Sequence, residues 1–151
     1  LNFLNENKEI GVCGSWFTIF GNIETRVVTH FETHDEIKVN FLNECYIGNP
    51  TVIFRRNILE NYLFDKSYNP MDDYELWSRL IYITNFHNIP ESLLKYRWHD
   101  KNISHNTSVN LSTIHKRIRF NQLKNLSITG NFEDNMEYLH ALHFEKKQTF
   151  L

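Results

Sequence analysis

Hydrophobic and polar positions alternate between two periods along this chain. The opening LNFLNENKE reads as the tail of an amphipathic helix, and IGVCGSWFTIF (Ile10 to Phe20) is dense in strand formers. Gly21-Asn22 then turns the chain into IETRVVTHF (Ile23 to Phe31), which predicts a β-hairpin. Ile37, Phe41 and Leu42 give Asp35 to Leu42 the spacing of a short helix. The turn at Gly48-Asn49-Pro50 leads into the strand TVIFRR (Thr51 to Arg56), and a further short helix is expected around Asn57 to Tyr62. From Asp72 to Ile83, Leu76, Leu80 and Ile83 fall at helical spacing with Trp77 and Ile81 beside them, so one face should be buried. FHNIP and SLLKYRW read as two short strands parted by Pro90. Ile114, Ile118 and Leu123 mark an amphipathic helix from Leu111 to Leu126, and Gly130 separates it from a last helix over Phe132 to Phe144. The order is mixed α and β, without repeats or low-complexity linkers.

Composition narrows the class. The chain has 151 residues, 41% of them hydrophobic and 15% aromatic, enough for one moderate core. Sixteen basic against eighteen acidic residues give a net charge of -2, so no overall cationic field draws it to nucleic acid. Cys13 and Cys45 fit no redox or zinc spacing, and a reducing, cytoplasmic setting is expected. No apolar run approaches the ~20 residues of a membrane helix. Asparagine is the commonest residue and alanine occurs once, a bias that leaves aromatics and isoleucines plentiful and so does not read as disorder. The start at Leu1, inside a helix pattern, is read as a piece of a larger protein.

The segment NPMDDYELWSRL, Asn69 to Leu80, carries the candidate chemistry. Asp72-Asp73-Tyr74-Glu75 fits a capping box, with Asp72 accepting from a first-turn amide, Glu75 reaching back, and Glu75 and Arg79 forming an i,i+4 pair. On that reading all three acids are structural. The same position suits a base, because the positive end of the helix dipole keeps a first-turn carboxylate such as Asp73 ionised and able to take a hydroxyl proton.

LNFLNENKEIGVCGSW, NPTVIFRR, DDYELWSRL and NIPESLLKYRWHDKNIS resemble, in content, order and spacing, the later half of a family-2 glycosyltransferase of the GT-A fold. The resemblance covers Leu1 to about Ser104. It implies an α/β fold with a mixed sheet and flanking helices, an acceptor-side half over 1–104 and a C-terminal helical extension over 105–151. It implies an inverting sugar transfer from a nucleoside-diphosphate sugar to a glycan or lipid-linked acceptor, in a setting such as assembly of a bacterial surface polysaccharide. In the family the second acid of a Glu-Asp pair is the base; here that is Asp73, with Asp72 in place of the usual Glu. Tyr96-Arg97-Trp98-His99 resembles the segment that closes over the diphosphate, which makes His99 a candidate ligand of a divalent metal, manganese or magnesium, and Arg97 and Trp98 candidate substrate contacts. Arg55 or Arg56 would meet the acceptor. A solvated strand end is the alternative for these arginines, and a surface pair for Arg97 with His99.

The 151 residues contain no Asp-x-Asp, the family's metal motif, and Arg79 is followed by Leu80, so the Gln-x-x-Arg-Trp of processive synthases is missing. A single-addition enzyme is expected, represented here by its acceptor side without the donor site. Alone, the chain should bind neither metal nor nucleotide sugar tightly, lack transferase activity, and self-associate through an unpaired strand edge. Lys116, Arg117, Arg119 and Lys124 beside an apolar stripe raise the expectation of a peripheral membrane contact, against a solvated outer face. Two rivals come from other classes: a zinc site at His30 and His34 with Glu32 between them, and a non-catalytic carbohydrate-binding module using Trp16, Trp77 and Trp98.

Overall fold

Strand β1 (Ile10–Gly21) organises the sheet, as the computed structural model shows; residues 1–102 and 110–128 are described. One edge of β1 pairs in parallel with β4 (Asn85–Trp98) from Ile10↔Asn85 to Gly21↔Trp98. Because β4 occupies that whole edge, the other is shared by two short antiparallel strands: β3 (Ile53–Phe54) opposite Val12 and Cys13, and β2 (Arg26–Val28) opposite Phe17 to Ile19. The sheet is therefore mixed, with helices α1 (Asn2–Glu6), α2 (His34–Asn40), α3 (Arg56–Leu59), α4 (Asp72–Leu80) and α5 (Leu111–Asn125) around it.

Several elements differ from expectation for physical reasons. The hairpin forms, but β2 is three residues long: Asn88 takes the carbonyl of Phe31 with its side chain and that of Glu32 with its backbone N–H, holding the chain away from β1. Gly21 has φ 115°, and a Cβ there would lie 2.3 Å from the Trp98 carbonyl oxygen, so the turn requires glycine. Asn49–Thr51 is a 3₁₀ turn started by Pro50, which leaves only Ile53–Phe54 as strand. Pro90 does not split β4; the register jumps from Ser15↔Ile89 to Trp16↔Ser92, and the bulge absorbs the residue that lacks a donor.

The sheet has two packed faces, and a register irregularity between Ile10 and Val12 shifts the alternation at the start of β1. Val12 and Phe86 face the main core, with Ile37 and Phe41 near α2, Tyr74, Leu76, Trp77 and Leu80 of α4, and Ile114 and Ile118 of α5. Ile10 and Cys13 pack on Leu4 of α1 in a smaller cluster on the other side. Trp77 is 1% exposed, a core residue rather than part of a carbohydrate groove, whereas Ile83, expected on the buried face, lies beyond the end of α4 and is 55% exposed. A capping box does exist, but on α2, where Thr33 and Glu36 exchange hydrogen bonds. The separation at Gly130 and the helix over Phe132 to Phe144 lie outside the described residues. Among the described residues, no helix is long and apolar enough to cross a membrane.

Candidate active site

Against one face of the carboxyl-terminal halves of the parallel pair β1 and β4 lies a cleft of about 610 Å³. Strand parity selects part of its lining. Ile19 and Tyr96 are register partners, as are Gly21 and Trp98, so Ile19, Tyr96 and Trp98 share one face and enter the cleft. Arg97 falls on the opposite face, where its guanidinium sits 5.6 Å from the Phe20 ring. The expected contact of Arg97 with substrate at this cleft is therefore not what the strand presents. Asn49 and Pro50 form another wall, and Asp72 and Asp73 close it from the start of α4.

The start of α4 departs from the capping box expected there. Met71 is the N-cap and offers no side-chain bond, while its carbonyl accepts from the Glu75 N–H at 3.0 Å. Glu75 does not reach back: its two oxygens take Arg79 Nε and Nη2 at 2.7 and 2.8 Å, and Arg79 also donates to the Leu63 carbonyl. Glu75 is thus structural, and the acids at the cleft are Asp72 and Asp73. Asp73 accepts the Tyr74 N–H at 2.7 Å. Burial pushes its carboxyl above the ordinary value, the Tyr74 amide opposes that shift, and the charge of Asp72 adds to it. Dipole stabilisation of the ionised form does not dominate, and the outcome is a more basic carboxylate than an exposed one.

The turn after β4 is fastened to the strand. Asn102 accepts the His99 N–H at 2.6 Å through Oδ1 and donates through Nδ2 to the Tyr96 hydroxyl at 2.9 Å. His99 Nδ1 in turn accepts the Lys101 N–H at 3.2 Å. A neutral ring in that arrangement carries its proton on Nε2, so its available lone pair is already in use. Among the described residues, no three His, Cys, Asp or Glu side chains are grouped to hold an ion. As arranged, these residues do not fit a divalent metal, and His99 is better matched to donating from Nε2 to an anion. His34 of the other histidine pair accepts the Phe86 N–H through Nδ1, and the His30 ring packs against Phe17 at 5.9 Å.

Arg55 and Arg56 are not brought to the cleft. Arg55 donates to the carbonyls of Ile10, Leu4 and Asn7 at 2.9, 2.6 and 3.2 Å, tying α1 to the start of β1. Arg56 is exposed at the first position of α3. The basic residues of α5 also diverge: Arg117 lies 3.9 Å over the Tyr68 ring, while Lys116 and Arg119 line a second cavity. Phe17, Ile19, Asn69 and Lys101 line the cleft without having been singled out; parity along β1 is the signal that would have found Phe17 and Ile19.

No family model matches the chain. It is 28% identical over 116 residues to a protein of Haemophilus influenzae named an uncharacterised glycosyltransferase, a match spanning 69% of this chain and 36% of that relative's length.

Proposed function

We propose that this chain forms the acceptor side of an inverting glycosyltransferase, with Asp73 as its base. The observation that carries the reading is convergence: Asp72 and Asp73 from the start of α4 meet Trp98 and His99 from the end of β4 in one cleft. The name of the Haemophilus influenzae relative supports glycosyl transfer in general. In the proposed reaction an acceptor hydroxyl gives its proton to Asp73 as its oxygen bonds to the anomeric carbon. The bond from that carbon to the diphosphate breaks on the opposite face, and the nucleoside diphosphate leaves with the electron pair. Burial of Asp73 raises its affinity for that proton, as a base working near neutral pH needs.

The remaining side chains have positioning roles in this proposal. Tyr96 and Trp98 supply broad apolar surfaces with polar tips for a sugar ring, and His99 donates to a diphosphate oxygen from the turn that Asn102 fixes. The nucleotide is held by polypeptide beyond these 151 residues, consistent with the 36% of the relative that the match spans. Any divalent cation at the diphosphate takes its ligands from outside the described residues.

The test uses the whole protein, a panel of nucleoside-diphosphate sugars, and glycan and lipid-linked acceptors, with NMR of the product's anomeric centre. Transfer with inversion is expected. Retained configuration would contradict the mechanism, and sugar binding without transfer would favour the non-catalytic carbohydrate-binding reading.

A further inference from the structure

Asn49 and Pro50 are exposed where they form a wall of the cleft, yet the turn that carries them is firmly fastened. Pro50 sets the backbone near the start of the 3₁₀ turn Asn49–Thr51, and the Thr51 N–H donates to the Gly48 carbonyl at 2.8 Å. The Thr51 hydroxyl accepts the Ser15 N–H at 3.0 Å and donates to the same Gly48 carbonyl at 2.8 Å. One side chain thus staples the turn to β1. Gly48 lies against Phe17, where a Cβ would come within 3.0 Å of the ring, and the Tyr46 carbonyl is held by Asn88.

This turn presents an amide that the fold does not use. Among the described residues, none is hydrogen-bonded to the Asn49 side chain, whose backbone carbonyl alone takes part in the turn by accepting the Val52 N–H. A loop fixed in this way offers a side chain to a substrate at little further cost in ordering. The carboxamide is donor and acceptor at once, as a sugar hydroxyl is, and it is neutral. A cation in its place would favour the ionised form of Asp73 and make it a weaker base. Arg55, from the same stretch of chain, is instead drawn off to the carbonyls of Leu4, Asn7 and Ile10.

We propose that Asn49 determines specificity for the acceptor: its carboxamide binds an acceptor hydroxyl next to the one that Asp73 deprotonates, and Thr51 is the positioning residue that holds it there. The acceptor is then a sugar with hydroxyls on neighbouring carbons, and a simple monohydric alcohol is a poor substitute. The inference rests on the glycosyltransferase reading of the cleft.

The test measures transfer by the whole protein to the pyranoside that the wild type uses best and to its monodeoxy analogues, each lacking one hydroxyl. Asn49→Ala should keep the melting temperature and the donor KM, while kcat/KM for the acceptor falls about three- to tenfold, the loss of one neutral hydrogen bond. One monodeoxy acceptor should cost the wild type about the same factor and cost Asn49→Ala nothing further. Thr51→Val removes the staple and should reproduce the acceptor effect, with Thr51→Ser restoring the wild-type value. Should Thr51→Val not fold, the cycle between Asn49→Ala and the monodeoxy acceptors decides. An unchanged acceptor kcat/KM in Asn49→Ala, a rise in donor KM instead, or losses that multiply with every monodeoxy acceptor would overturn the inference and leave glycosyl transfer standing. A wild type that transfers to no acceptor would overturn the glycosyltransferase reading and the inference with it.

Discussion

The carboxylate of Asp73 accepts the backbone hydrogen of Tyr74 at 2.7 Å, and Tyr74 sends its own hydroxyl to the Phe41 carbonyl at 2.5 Å. The candidate base is thus seated on a residue anchored in the core, next to Gln122, whose amide also donates to Phe41 and Tyr74. Tyr74→Phe keeps the ring and removes the anchor. It should lower stability by about 1–2 kcal/mol in urea unfolding, the range for one buried hydrogen bond and its stranded partner. An unchanged midpoint would show that the hydroxyl bond contributes nothing.

Asp73 should also make the fold's stability depend on pH in an uncommon direction. Its folded pKa is raised, so its favourable contribution is present at low pH and lost as pH rises through that value. Asparagine is neutral throughout and can still accept the Tyr74 N–H. Asp73→Asn should therefore raise the melting temperature near pH 7, with the gain shrinking below about pH 4, where the acid is protonated in both states. A difference independent of pH would contradict the burial effect on this carboxyl.

Asn88 is fully buried, and its Nδ2 bridges the carbonyls of Phe31 and Tyr46 at 2.7 and 2.8 Å. Leucine at this position would strand both acceptors. Asn88→Leu should cost about 2–4 kcal/mol, read from chemical denaturation, because each stranded group forfeits its desolvation. A loss below the error of the fit would mean that the two loops hold themselves in place.

The Glu75 and Arg79 pair is bidentate and lies against α4's buried side, with Glu75 shielded and Arg79 partly solvated. Glu75→Ala should lower stability by about 1–3 kcal/mol, more than an exposed ion pair would. Whole-protein turnover should survive, since Glu75 does not line the cleft. Loss of turnover in a folded Glu75→Ala variant would move the catalytic acid away from Asp73.

Local pattern carried much of this structure. β1, α4 and α5 follow from periods that Val12, Leu76, Leu80, Ile114 and Ile118 display over neighbouring residues, and all five are buried. The acid pair and the end of β4 were legible as candidates from the resemblance, and parity explains why Trp98 enters the cleft and Arg97 does not. What local pattern could not carry depends on partners far along the chain. Arg55 reads as a strand-end cation until the carbonyls of Leu4, Asn7 and Ile10 are brought to it, and Asn88 reads as one polar residue of a short strand until Phe31 and Tyr46 need its donors. The Met71 cap was hidden because Asp72, the first residue of the helix, and Glu75 three positions later resemble a capping box by spacing alone.

The His99 arrangement is open to direct inspection. Nδ1 accepts the Lys101 N–H, so long-range ¹⁵N correlation spectra of the chain should show the Nε2-protonated tautomer. His99→Gln, which keeps a donor near the Nε2 position, should retain more activity in the whole protein than His99→Asn. The opposite order, or an Nδ1-protonated ring, would restore His99 as a metal ligand.

The most direct measurement of the central claim is turnover of the whole protein as wild type, Asp73→Asn and Asp72→Asn, read as nucleoside diphosphate released in the presence of acceptor. The account predicts that Asp73→Asn lowers turnover by ~10²–10⁴-fold, the usual contribution of a positioned base, while donor binding persists and Asp72→Asn does less. Near-normal turnover in Asp73→Asn would contradict it.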